Sequence, residues 1–349
     1  MDLTPMIGYP VAVNRRIAAK VVLIAGVSFG VFSVAQNPEA ETLAKAQALQ
    51  ASPPDWAYAV NPPSDGSAIS KAPDATPRHV PDSDAAFTEA QTQDFFNPPD
   101  WHPADHPAMP AIVSHGRAPE VFACGYCHLP NGQGRPENSS LAGLPAAYIV
   151  QQLVDFKRGL RKSSEPRHAP TTAMIANETK ANQKEIRAAA EYFSALKPRP
   201  WIRVVETNTV PKTHVAGWML VPSDGGEKEP IGERIVETPE NLERTELRDD
   251  HSGFIAYVPV ASIKRGEMLA AGGANRALRC TTCHGRDLQG SNNVPRLAGR
   301  SPSYMVRQLY DMQHGSRAGG ATNRMKPVVA DLRIEDMVAI AAYMASLNP

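Results

Sequence analysis

Neither charge is in excess in this chain: among 349 residues, 36 basic and 36 acidic side chains cancel. Without a basic field, nucleic-acid binding has no electrostatic support. Cysteine is scarce, four in all, which is too few for a disulfide scaffold in a chain this long. Long hydrophobic runs are missing as well, with one exception. Val21 to Ala35 is a fifteen-residue stretch without charge, preceded by Arg15, Arg16 and Lys20. A spanning helix needs about 20 residues, so the run is short for that purpose. Ser33 and Ala35 stand at the spacing that a signal peptidase accepts. Residues 1–35 therefore read as a signal peptide or a membrane anchor. Membrane association through residues 17–35 stays open if Lys20 snorkels. The Arg15-Arg16 pair resembles a twin-arginine signal but lacks the Phe and Leu that follow one. On either reading the rest of the chain leaves the cytoplasm.

Proline is plentiful instead, with 32 residues, about twice the usual share. Residues 36–108 carry twelve of them, eleven from Pro53 to Pro107, with few aliphatic residues between. Such a stretch cannot bury enough surface to order itself, and it reads as a flexible tether. Trp56 and Trp101 within it could dock on the folded part, but read first as markers of local turns.

From Met109 onward the chain repeats itself. Cys124, Cys127 and His128 fall on Cys280, Cys283 and His284 at an offset of 156. The same offset lays Leu141-Ala142-Gly143 on Leu297-Ala298-Gly299, Tyr148 on Tyr304, Gln152-Leu153 on Gln308-Leu309, Asp155 on Asp311 and Gly159 on Gly315. After a five-residue deletion, Met174 falls on Met325, Ile186 on Met337 and Tyr192 on Tyr343. Two collinear copies imply one module used twice, over residues 109–199 and 263–349.

Each module reads as helical. Tyr148, Ile149, Gln152, Leu153 and Phe156 form one helix face that stops at Gly159. The closing helix of the first copy starts at Asn182, with Glu185 completing a capping box. Its partner presents Met337, Ile340, Ala341 and Met344. Residues 200–262 belong to neither copy. Their Val, Ile, Trp and Tyr clusters predict strands over 201–207, 213–221, 233–238 and 253–263. Thr238-Pro239-Glu240 reads as the start of a brief helix. The expected fold is mainly α, two helical modules joined by a small β-rich insert.

All four cysteines fall in two copies of C-x-x-C-H, the string that attaches haem. Two thiols one helical turn apart can add to the vinyl groups on one edge of the porphyrin. The histidine that follows then supplies the proximal nitrogen to the iron. A structural zinc site would want its second C-x-x-C about 15–20 residues away, not 156. A thioredoxin-like pair would want a βαβ setting, and internal disulfides would explain neither histidine. Two covalently bound haem c groups are the cofactors expected, held by Cys124, Cys127, Cys280 and Cys283, with His128 and His284 on the irons.

The second axial ligands follow from the repeat. Met305, Met337 and Met344 sit on apolar helix faces and read as core. Met174 and Met325 are methionine in both copies, each in a stretch expected to be irregular, and they are the candidates for the irons. His168 and His314 have no histidine counterpart in the other copy and read as surface residues. His/Met ligation raises the reduction potential and leaves no site for oxygen or substrate.

The sequence resembles the tandem dihaem class I cytochromes, and among them the cytochrome c₄ type. The resemblance rests on the two C-x-x-C-H motifs, Leu-Ala-Gly followed by Tyr and Gln-Leu, the aligned methionines and the closing helices. It covers residues 113–199 and 263–349. It implies periplasmic electron transfer, with a dehydrogenase, an oxidase or a quinol-oxidising complex as partner, and no catalytic residues of its own. The family's linker is short, so the insert puts close packing of the two haems in doubt. Pro295 fits the family's habit of a proline carbonyl holding the proximal histidine, whereas Ser139 stands at that place in the first copy. An enzyme, a dihaem cytochrome c peroxidase, is the alternative, and it would need one open iron. The haem subunit of a membrane dehydrogenase complex is a further one.

Overall fold

Both copies of the repeat fold as helices around a C-x-x-C-H turn, in a computed structural model that describes residues 52–63, 74–273 and 279–349. The signal or anchor of residues 1–35 lies outside the described residues. A single turn, α1 (Glu89–Thr92), precedes the first module. That module comprises α2 (Ala111–Ser114), α3 (Cys124–His128), α4 (Ala146–Lys157), α5 (Ala169–Lys180) and α6 (Gln183–Ala195). The insert follows with β1 (Ile202–Glu206), β2 (Thr209–Pro211), β3 (Thr213–Ala216), β4 (Met219–Pro222), β5 (Lys228–Pro230), β6 (Val236–Pro239), α7 (Leu242–Glu246) and β7 (Phe254–Val258). The second module is α8 (Ser262–Ala270), α9 (Cys280–His284), α10 (Pro302–Gln313), α11 (Lys326–Val329) and α12 (Ile334–Ser346), with a 3-10 turn over Gly320–Arg324 before α11.

The helices start and stop where their chemistry dictates. Asn182 accepts from the amides of Lys184 and Glu185, and Glu185 returns a bond to the Asn182 amide. Past α4 and α10, Gly159 and Gly315 take φ of +67° and +77°, values that side chains resist. Met337, Ile340, Ala341 and Met344 of α12 are all buried, each large side chain contributing roughly 1.5–3 kcal/mol. The crossing of α8 over α12 depends on Gly266, where an added Cβ would overlap the Ala339 carbonyl.

In the insert, β7 is the centre of a three-stranded sheet, parallel to β1 and antiparallel to β6. The single strand expected over 213–221 is instead the hairpin β3–β4, because Gly217 and Trp218 both adopt positive φ and turn the chain. A further pair, β2 with β5, had no alternation long enough to show. The brief helix expected from Thr238 begins later. Thr238 and Pro239 end β6, and the Asn241 side chain caps α7 by accepting from Arg244 N.

The reading of 36–108 as a tether fails wherever those residues are described. Trp101 is 1% exposed and its indole donates to Leu247 O at 2.8 Å. Tyr58 is buried and donates to Asp311 at 2.7 Å. Trp101 therefore docks on the folded part rather than only marking a local turn. Val80, Phe87 and Trp101 form a small core that Leu247 of the insert completes, and Tyr58 joins the core of the second module. Its described residues form a strap against the modules and the insert.

Candidate haem sites

The first C-x-x-C-H motif lies on α3 and the second on α9, so each pair of thiols is one turn apart. None of the four cysteines is in a disulfide. Burial pushes the thiols of Cys124 and Cys127 up, which keeps them protonated. His128 and His284 are both buried. His128 Nδ1 meets Ser139 O at 2.8 Å, and His284 Nδ1 meets Pro295 O at 2.8 Å. The carbonyl does this work, so serine serves as well as proline. Burial lowers the His128 imidazole to about 4, against the pull of the Ser139 carbonyl. Burial lowers His284 likewise. Each ring is thus neutral, with its proton on Nδ1 and a bare Nε2, the tautomer a metal ligand needs.

Leu129 follows the first motif with φ of 62°, where its counterpart Gly285 has 83°. With ψ of 154° this is a region that only glycine adopts freely, and the strain costs about 1–3 kcal/mol. Burial of the leucine side chain, 2% exposed, returns about 1.5–3 kcal/mol and offsets it.

Cys124, Cys127, His128 and Met174 line one cavity of about 990 Å³, together with Phe156 and Phe193. Met174 is not in an irregular stretch: it lies within α5, which opens with Pro170 near its first turn. Met325 does sit at a break, between the 3-10 turn and α11. It and Cys280 both pack against the core of the second module. His168 is not a surface residue. It is 3% exposed, lines the same cavity, and its Nε2 has no partner. His314 is exposed.

Insert and strap close the first site. Arg248 stacks 3.5 Å over the ring of Tyr126, between the two cysteines, and donates to Tyr126 O and Thr92 O. Against the second module, buried Glu237 of the insert strand β6 accepts from Ser301, Ser303 and the Ser303 amide at the start of α10. An anion there meets the positive end of the helix.

The two modules meet directly. Arg161 and Arg317 pair as an antiparallel bridge, flanked by Lys162 N to Ser316 O and Ala318 N to Leu160 O. Arg161 donates to Tyr304 and Gln308 of the second module, while Arg317 donates to Tyr148 and Gln152 of the first. The modules therefore pack against each other despite the insert.

The boundary carries unbalanced positive charge. Arg161, Arg296, Arg300 and Arg317 are buried, and among the described residues none has a carboxylate at ion-pair distance. The Nε atoms of Arg296, Arg300 and Arg317 lack any partner. Burial and the neighbouring Arg300 bring Arg296 down to about 9. Burial would raise the Tyr304 phenol, yet Arg161, Arg300 and Arg317 outweigh it and draw it to about 7. Buried charges of one sign call for a counter-charge. Two haems bring four propionates, so the residues present fit the group. Sequence reading missed these arginines, although the offset of 156 maps Arg161 onto Arg317 and could have found them.

Both modules are similar to known proteins. The Cytochrome c family model matches residues 117–197 and 268–348. The chain is 31% identical to cytochrome c4 of Stutzerimonas stutzeri over 70% of this chain and 91% of that protein. It is 26% identical to cytochrome c4 of Azotobacter vinelandii, over 70% of this chain and 91% of the relative. A thiosulfate dehydrogenase electron acceptor of Thiomonas intermedia is 25% identical, over 65% of this chain and 80% of that one. The two matched domains, each with its C-x-x-C-H, carry two covalently bound haem c groups.

Proposed function

The chain belongs to the cytochrome c4 family of dihaem electron-transfer cytochromes, and from that premise we propose a periplasmic carrier that takes electrons from a dehydrogenase or quinol-oxidising complex and passes them to a terminal acceptor. Each haem, when bound, supplies a one-electron couple at an iron, and filled axial positions suit it to carriage rather than to activation of small molecules. Cys124 and Cys127 hold one group, and Cys280 and Cys283 the other. His128 and His284 offer Nε2 while the carbonyls of Ser139 and Pro295 fix the opposite ring proton. Met174 and Met325 are the sixth ligands in this reading. Arg161, Arg296, Arg300 and Arg317 provide charge for the propionates.

The observation that carries the proposal is the reciprocal boundary network, since it joins the two sites through shared hydrogen bonds. A relay needs its centres joined; a peroxidase needs one of them open. That one relative is named a dehydrogenase's electron acceptor favours a dehydrogenase as donor, in a soluble pair or as a subunit of its complex. The test is carbon monoxide binding to the fully reduced protein, with haem counted as its pyridine complex. Two haems and no carbon monoxide adduct are expected. A ready adduct at one haem would sink the carrier reading and leave the peroxidase.

A further inference from the structure

The offset that aligns the modules places Tyr126 on Thr282, each between the two cysteines of its motif. Their surroundings differ. Tyr126 is 6% exposed, whereas Thr282 and Cys283 are both exposed. Arg248 covers Tyr126, and it belongs to the insert, so the repeat supplies no counterpart. We propose that Arg248 raises the reduction potential of the first haem, so that an electron shared by the two haems settles on the first. This rests on the reading of the chain as a dihaem carrier and gives the insert a part in it.

Arg248 ties three parts of the chain at one point. Its guanidinium lies 3.5 Å from the centre of the Tyr126 ring. Its Nη1 donates to Tyr126 O at 2.9 Å, and its Nε donates to Thr92 O of the strap at 3.1 Å. The residue lines the same cavity as Cys124, Cys127 and His128. Its backbone is unusual as well. Arg248 has φ of 59° just past the end of α7, where glycine is the usual residue. An arginine kept at a position that resists side chains points to a use for that side chain.

The charge at this point is not cancelled. Among the described residues, no carboxylate stands at ion-pair distance from Arg248. Its charged neighbours Arg135 and Glu137 pair with each other at 2.9 Å. Both of its hydrogen bonds go to carbonyls, which leave the charge in place, and arginine stays protonated at neutral pH. Ferric haem carries one more positive charge than ferrous haem. A cation fixed beside it therefore disfavours the ferric form and raises the potential. The guanidinium is packed on a buried ring, where screening is weaker than in open solvent.

The second motif lacks this arrangement. Among the described residues, no side chain hydrogen-bonds to Thr282 O. Arg279 and Arg286 flank the motif in sequence, but both are exposed, and solvent screens them. Arg161 and Arg317 serve the two modules reciprocally and do not break the symmetry. Arg248 does.

The experiment is potentiometric titration of the full haem-loaded chain, followed in the haem bands. The parent should show two one-electron transitions, the higher belonging to the first haem. The transition that Met325→Ala displaces marks the second. Arg248→Gln should lower the first transition by about 60 mV, a tenfold change in that equilibrium, and leave the second in place. Arg248→Lys keeps the charge without the paired bonds, and it should restore most of the difference. Lys228→Gln, at an exposed cation of the insert, should change neither. The proposal is overturned if the first haem has the lower potential in the parent, or if Arg248→Gln moves neither transition or both alike. It is overturned as well if Arg248→Lys falls as far as Arg248→Gln, because packing and not charge would then be at work. A carbon monoxide adduct in the parent would count against the carrier reading instead, which none of these shifts touches.

Discussion

Arg161 and Arg317 face each other across the module boundary, and each donates at 2.9 Å to a tyrosine of the opposite module. The pairing reproduces the repeat in space: the residues that align in sequence exchange places in the bonds they make. Such symmetry lets one copy present to its twin the surface that the twin presents to it. The shared chemistry of the boundary is cationic. Removing either guanidinium should favour ferric iron and lower at least one midpoint potential.

For Arg161→Gln and Arg317→Gln the expected fall is on the order of 60 mV, equal to a tenfold change in a one-electron equilibrium. Potentiometric titration of the haem bands measures it. Arg158→Gln, at an exposed arginine of the same module, should leave the potentials in place. Equal effects from all three variants would show that the boundary arginines carry only general charge.

Met174 and His168 compete for one role. Both line the first cavity, one through a thioether and the other through a buried Nε2 without a partner. The repeat aligns Met174 with Met325, and nothing in the second copy matches His168. Met174→Ala should therefore open the reduced first haem to carbon monoxide, and Met325→Ala the second. His168→Ala should leave both closed. An adduct in H168A, with none in M174A, would move the sixth ligand to the histidine.

The modules were legible in the sequence because their signals are local or repeated. The capping box at Asn182, the stop at Gly159 and the core methionines of α12 each depend on neighbours a few residues apart, and all three are in place. Features that depend on distant partners were not legible. Trp101 reads as a turn until Leu247, 146 residues later, supplies its acceptor. His168 reads as surface until the strap residue Tyr58 packs against its ring. Met174 reads as part of an irregular stretch because Thr and Pro are poor helix formers, yet proline near a helix start costs nothing.

Trp101 should be the residue on which the strap depends. It is fully buried, stacks edge-on against Phe87 at 4.7 Å, and bonds to Leu247. Trp101→Ala should cost about 3–5 kcal/mol, read by denaturant unfolding. It should also expose residues 74–108 to limited proteolysis while the haem bands stay unchanged. Unchanged stability and cleavage would mean that the strap is held elsewhere.

Glu178 gives the chain a stability term that depends on pH. It is 4% exposed, its Oε2 has no partner, and burial pushes its carboxyl up to about 7, with Lys157 opposing and Glu185 assisting. In the unfolded chain the same group titrates near 4.5. Between these values the folded state holds a proton that the unfolded state releases. The stabilisation is fully present below 4.5 and is lost as pH rises through about 7. The loss amounts to about 3 kcal/mol at its plateau. Glu178→Gln keeps the neutral shape without the titration. The parent minus the variant cancels other groups, such as Asp311, whose carboxyl burial also pushes up. That difference should fall between pH 4.5 and 8 by the amount stated. If it stays flat when unfolding is followed across that range, the carboxyl is already ionised in the folded protein, and a cation must stand beside it.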